Sequence, residues 1–207
     1  NEGFQLYKEH YTSNNLRDID LIVTDIQMPN KNGLDMIAEI KKLNLKDDSI
    51  KLFWFKDTLN FGDYLNLDLV TGLSDKEVEW VPNSYHGEYF MAIGSVLQLA
   101  TSKTIVWGSG LISANYLPLN HPKEILAVRG PLTRDRLRSA NIKCPEVYGD
   151  PALIMPEIYY PKIEKTYDLG IIPHYVDGGS KFFQQKFTSN IKIIDITQPD
   201  FHTFINE

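Results

Sequence analysis

Short apolar runs separated by helix-length segments recur along almost the whole chain, and this alternation constrains the fold more than any other feature. Leu21 to Asp25, Ile50 to Phe55, Glu88 to Ile93, Thr104 to Trp107, Ile125 to Val128, Glu146 to Tyr148, Asp168 to Ile172 and Ile191 to Ile196 read as strands. Runs this short and this apolar suit strands buried on both faces, as in a parallel sheet. Helices are predicted at Gly3 to Tyr11, Leu34 to Leu43, Tyr64 to Val70, Val96 to Ala100 and Pro131 to Ala140, with a helical turn at Pro151 to Met155. The pattern predicts an α/β protein with a mostly parallel, Rossmann-like sheet and flanking helices. In open sheets of this kind ligands gather beyond the carboxyl ends of the strands, so the residues that follow each strand carry the functional question.

Composition narrows the classes of partner. The 207 residues carry a net charge of −6, and their lysines and arginines form no single basic stripe. Binding to nucleic acid or to an anionic membrane surface is therefore not expected. No apolar run approaches the roughly 20 residues that span a bilayer. Cys144 is the only cysteine, which excludes a disulfide framework or a cysteine-based metal site and fits a reducing, cytoplasmic setting. The chain opens at Asn1 and closes at Glu207 in a segment rich in Phe201, Phe204 and Ile205, so the sequence reads as a piece of a longer protein.

Two unrelated signatures follow strands. The first is Asp20-Leu21-Ile22-Val23-Thr24-Asp25-Ile26-Gln27-Met28-Pro29, with Gly33 just before a helix whose apolar face is Leu34, Ile37 and Ile40. Asp25 closes its strand, where a carboxylate can act chemically or simply cap a loop. This segment, residues 1–48, resembles the central part of a two-component receiver domain, a partial flavodoxin-like unit. The resemblance implies that Asp25 is a phospho-acceptor, that Asp25 and the backbone carbonyl of Gln27 are Mg2+ ligands, and that a histidine kinase is a partner. A carboxylate attacks a phosphoryl group only where a divalent cation and fixed cations neutralise the developing charge. Receivers supply these through an acidic pair after their first strand and a lysine after their last. The acidic pair would precede Asn1, and Phe53-Trp54-Phe55-Lys56 lacks the expected Thr or Ser, so Mg2+ is expected only of a complete receiver.

The second signature occupies strand ends from residue 60 onward. Asn60-Phe61-Gly62-Asp63 opens a helix, either as an anion site built from its first N–H groups or as an ordinary capped start with Asp63 in the first turn. Gly94-Ser95 and Gly108-Ser109-Gly110 make tight turns after two further strands, able to lie against a ligand or simply to pack. Arg129 ends its strand, and Gly130-Pro131 starts the next helix; a guanidinium there suits a carboxylate or phosphate. Arg134, Arg136 and Arg138 read as a solvated helix face, and Asp150 before Pro151 is a candidate substrate-binding residue or an ordinary helix cap. His174, in Pro173-His174-Tyr175 after a strand, suits an acid, base or anion donor, whereas His86, His121 and His202 have no such context.

Together Asn60-Phe61-Gly62-Asp63, Ile93-Gly94-Ser95, Trp107-Gly108-Ser109-Gly110, Val128-Arg129-Gly130-Pro131, Tyr148-Gly149-Asp150-Pro151-Ala152 and Ile172-Pro173-His174-Tyr175 resemble the polysaccharide pyruvyl transferase family. The resemblance implies that residues 49–207 are the first half of a twin-Rossmann transferase of the GT-B type. It implies transfer of the enolpyruvyl group of phosphoenolpyruvate to a polysaccharide or lipid-linked sugar, giving a pyruvate ketal without a cofactor. Arg129 matches the donor-binding arginine. A second domain with a Leu-His-type motif is expected beyond Glu207, and without it little or no activity is expected. The junction strand Ile50 to Phe55 is predicted to join the transferase sheet. Two other readings remain: a phosphorelay response regulator, and a relative of the nucleotide-sugar glycosyltransferases.

Overall fold

The computed structural model describes residues 49–74, 76–184 and 190–206. Asp25, Gln27 and the predicted helices and strand before residue 49 lie outside the described residues. Strands β1 (Ser49–Phe53), β2 (Glu77–Trp80), β3 (Tyr89–Met91), β4 (Thr104–Trp107) and β5 (Glu124–Ala127) form a five-stranded sheet in the order β2-β1-β3-β4-β5. Every neighbouring pair is parallel. This is the doubly wound order whose chain reverses direction between β1 and β3, which makes the crevice beyond their carboxyl ends the favoured place for a ligand.

Period-two alternation sorts the side chains into two cores, one on each face. Leu52, Trp54, Phe90, Ile105, Trp107 and Ala127 join one cluster with Leu65, Leu69 and Leu73 of helix α1 (Phe61–Ser74). Phe53, Tyr89, Met91, Val106 and Val128 join the other with Leu137 of helix α2 (Pro131–Ser139). All four residues of β4 are buried, which explains why its bounds were legible as a continuous apolar run. The junction strand joins this sheet as expected, pairing with β2 and β3.

Several details differ from the sequence reading. β2, whose Glu77 and Glu79 face solvent, is an edge strand that a charge-rich sequence concealed. Glu146 to Tyr148 supplies only an isolated bridge from Tyr148 to Val128. The strands β6 (Leu169–Ile171) and β7 (Ile191–Ile193), expected within the same alternation, form a separate two-stranded parallel sheet. After short helices α3 (Met155–Ile158) and α4 (Lys181–Gln184), helix α5 (Phe201–Asn206) returns to α1. There Phe204 stacks on Phe61 with ring centroids 3.7 Å apart, Tyr159 meets Phe201 edge-on at 5.2 Å, and the Tyr159 hydroxyl donates to Asn206 at 3.0 Å.

Candidate active site

Four strand ends of the main sheet meet in one hydrogen-bonded assembly. After β1 the chain reaches α1, whose start is closed by its own protein partners. The N–H of Gly62 donates to Asn60 Oδ1 (2.9 Å), those of Asp63 and Tyr64 donate to the Asn60 carbonyl (3.1 Å each), and that of Phe61 donates to the Ile196 carbonyl (2.8 Å). The first three N–H groups within the helix, which have no partner inside it, are thus engaged, and that of Tyr64 makes the first regular helix bond. Of the two readings of Asn60 and Gly62, the structure shows the cap, with the Asn60 side chain taking up the Gly62 N–H.

The loop after β3 is held by a residue the sequence reading overlooked. Asn66 is fully buried on α1; its Oδ1 accepts from the N–H of Ile93 (2.8 Å) and its Nδ2 donates to the Ile93 carbonyl (3.1 Å) and to the Asp63 carbonyl (2.9 Å). The side chain imitates a strand partner at the point where pairing of β3 has ended. Its only signal in the sequence was a polar residue at a helical position otherwise set for the core, Leu65, Leu69 and Leu73 being its buried neighbours along α1.

The turn after β4 leans on that loop. The Ser109 hydroxyl and the Gly110 N–H both donate to the Gly94 carbonyl, at 2.9 and 3.0 Å, and the Leu97 N–H donates to the Gly110 carbonyl at 3.1 Å. Gly94 and Gly108 hold φ of 118° and 99°, which other residues rarely adopt. A methyl at Gly108 would also lie 2.4 Å from the Pro151 ring. Glycine is therefore required at Gly108 by backbone conformation and by space.

Arg129, after β5, completes the assembly. Its N–H donates to the Ser109 carbonyl (3.3 Å), and its Nη1 donates to the Ser95 hydroxyl (2.8 Å). The guanidinium lies across Gly110, where a methyl would come within 2.8 Å of Nε and 2.9 Å of Nη2. Among the described residues Arg129 makes no ion pair, and Ser95 is the only hydrogen-bond partner of its half-buried side chain. By contrast, Arg134 and Arg138 both reach Glu146, Arg134 also pairs with Asp135, and Arg138 donates to the Cys144 carbonyl.

The two acids of the assembly differ. Asp150, a candidate substrate-binding residue or cap in the sequence, accepts from the Ala152 N–H at 3.0 Å and so caps the 3-10 turn Pro151–Ile154. Burial raises its pKa, while that bond and the charge of Arg129 act to lower it. Asp63 makes no side-chain hydrogen bond or ion pair among the described residues, and its Oδ1 is 3.3 Å from where a methyl at Gly94 would stand. Burial pushes its pKa up to about 6.

His174 is not brought to this assembly by any hydrogen bond or ring contact among the described residues. It is exposed, its ring packs on Tyr175 at 4.3 Å, and its Nδ1 accepts from the Val176 N–H at 3.3 Å. Cys144 is buried, and burial pushes its thiol up to about 11, which removes it as a nucleophile near neutral pH.

Fold and site together define a doubly wound α/β protein whose strand ends carry the Arg129 guanidinium, bonded to Ser95 and lying across Gly110, and the Asp63 carboxyl against Gly94. The chain matches the family model of the polysaccharide pyruvyl transferases over residues 6–205 and belongs to that family. The match crosses the boundary drawn between residues 48 and 49 and takes in the receiver-like segment with Asp25. The chain is also 28% identical over 160 residues to an uncharacterized protein of Acanthamoeba polyphaga mimivirus, covering 73% of this chain and 55% of that protein. It thus spans about half the length of that relative. No solved structure matches the chain. Among the described residues, no helix is long and apolar enough to cross a membrane.

Proposed function

We propose that this chain binds phosphoenolpyruvate at the strand ends around Arg129, as the donor half of a transferase that places pyruvate on a sugar of a surface polysaccharide or its lipid-linked precursor. The observation that carries this reading is the guanidinium of Arg129, half-buried, hydrogen-bonded only to Ser95 and in no ion pair among the described residues, with the carboxyl of Asp150 within reach of its charge. A cation held in that state is completed by an anion from outside, and its planar fork suits a carboxylate or a phosphate.

The chemistry asks for such a group. Forming a pyruvate ketal joins the central carbon of the donor to two sugar hydroxyls while phosphate departs. The donor's carboxylate and phosphate must be held, and the charge that moves to the leaving phosphate must be stabilised. In this reading Gly110 lets the guanidinium lie flat against the turn, and Ser95 fixes its rotation. Asp150 and Asn60 set the backbone around the site rather than touching the donor.

Calorimetric titration of phosphoenolpyruvate into the protein tests the reading. Binding should weaken in Arg129→Ala by roughly tenfold to a hundredfold, the worth of about 1.5–3 kcal/mol for a hydrogen bond to a charged group. Equal affinity in the variant contradicts the role of Arg129. Binding of a nucleotide sugar in place of phosphoenolpyruvate would instead make the chain a glycosyltransferase relative.

A further inference from the structure

We propose that Asp63 is the acid of this transfer: its carboxyl lies against Gly94, one residue from the Ser95 hydroxyl that Arg129 grips, and hands its proton to the methylene carbon of the donor. The inference rests on the phosphoenolpyruvate reading of the Arg129 site and extends it to a residue that Arg129 does not need.

The geometry is unusual for an aspartate in this place. With Asn60 as the cap, Asp63 is the third residue of α1, where an acidic side chain ordinarily reaches back to the cap's N–H or rests as a solvated carboxylate favoured by the helix dipole. Asp63 does neither. Its backbone is pinned twice, by the N–H bond to Asn60 and by the Asn66 bond to its carbonyl, while its carboxyl has no partner among the described residues. The second pin comes from the same Asn66 that clamps Ile93, so one side chain sets the distance between the carboxyl and the Gly94-Ser95 loop. Asp150, the other acid of the assembly, is committed to the Ala152 cap and lies in the field of Arg129.

The carboxyl is also poised to exchange a proton near neutrality, with a pKa of about 6 that comes from burial alone. Arg129 and Asp150 beyond β5, Lys56 and Asp57 on the loop before α1, and Asp68 along that helix are the charged groups on the surrounding elements, and burial is the cause that decides the direction.

The step balances. The O–H bond of Asp63 breaks and a C–H bond forms at the methylene carbon, using the π pair of the donor. The central carbon, left cationic, takes the oxygen of a first sugar hydroxyl, whose proton returns to the Asp63 carboxylate. The bond from the central carbon to the phosphate oxygen then breaks, phosphate leaves with the electron pair, and a second hydroxyl of the same sugar closes the ketal. Its proton passes to the departing phosphate. Nothing is oxidised or reduced.

The test follows phosphate release by the full-length protein from phosphoenolpyruvate, with p-nitrophenyl glycosides as acceptors, beside calorimetry of donor binding. For Asp63→Asn the expected result is a loss of turnover of at least a hundredfold with donor affinity within about twofold of the parent, and partial activity in Asp63→Glu. The parent's kcat/KM should fall as pH rises through about 6, and that limb should vanish from the residual rate of Asp63→Asn. Turnover retained in Asp63→Asn, a loss of donor affinity as large as the loss of rate, or donor binding by the parent with no turnover of any acceptor each overturns the role of Asp63. Failure of phosphoenolpyruvate to bind the parent overturns the donor reading itself.

Discussion

Gly110 and Arg129 are coupled by space rather than by a hydrogen bond. A methyl at Gly110 would meet the far end of the Arg129 side chain at 2.8 to 3.0 Å, and that end can swing away. Gly110→Ala should therefore cost little stability and weaken phosphoenolpyruvate binding by about tenfold, on the order of 1.4 kcal/mol. Gly108→Ala should behave in the opposite sense. Its methyl would meet a rigid proline ring at 2.4 Å in a backbone with φ of 99°, so thermal denaturation should register a loss of about 1–3 kcal/mol or more. Asp63 gives a third outcome with a definite sign. Its carboxyl titrates at about 6 in the fold against an ordinary 3.8, so the native state favours the protonated form. The resulting stability is fully present below pH 3.8 and is lost as pH rises through about 6. Asp63→Asn should match the parent in urea midpoint near pH 4 and exceed it at pH 8. At this scale the positions of Arg129 and Gly110 just beyond β5 and β4 were legible because those strands show as apolar runs. Asn66 was not, because a buried polar side chain on a helix shows its purpose only once its partner on another strand is in place.

At the scale of elements, the helix α1 does more than cover the sheet. Through Asn66 it replaces a missing strand partner for Ile93, and through Asn60 it closes its own first turn. Asn66→Leu would leave the N–H and carbonyl of Ile93 buried without partners. A loss of about 2–6 kcal/mol in urea denaturation is expected, since each of the two orphaned groups costs roughly 1–3 kcal/mol. The donor site should weaken with it, because the Gly94-Ser95 loop carries the Arg129 contact. A loss below about 0.5 kcal/mol would show that the clamp is not formed in solution. Apolar periodicity located β1, β3, β4, β5 and α2 within a few residues of their bounds, since both faces of the sheet are covered and the runs are continuous. It missed β2 and α5, an edge strand with alternating glutamates and a six-residue helix too short to show a period.

The whole molecule divides into parts of unequal support. The main sheet has a core on each face, whereas Leu169 and Gly170 of β6 are exposed and no residue of β7 is fully buried. Two strands alone are marginal in water. Native-state hydrogen exchange should find the amides of β4 opening only with global unfolding and those of β6 and β7 opening at lower free energy; equal protection would contradict this division. The sequence made β6 and β7 look like further members of one alternation because a strand's neighbours cannot be read from its own residues. The gathering of glycines and an arginine along the carboxyl edge of the main sheet, by contrast, was legible, since each of these residues directly follows a strand that shows as an apolar run.

The account stands on Arg129 holding the donor, and an NMR titration with phosphoenolpyruvate tests that most directly. The side-chain Nε–H of Arg129 and the amides of Ser95 and Gly110 should shift together and saturate at one affinity. Saturable binding that leaves the Arg129 Nε–H unmoved, or that perturbs another face of the protein, would contradict the account.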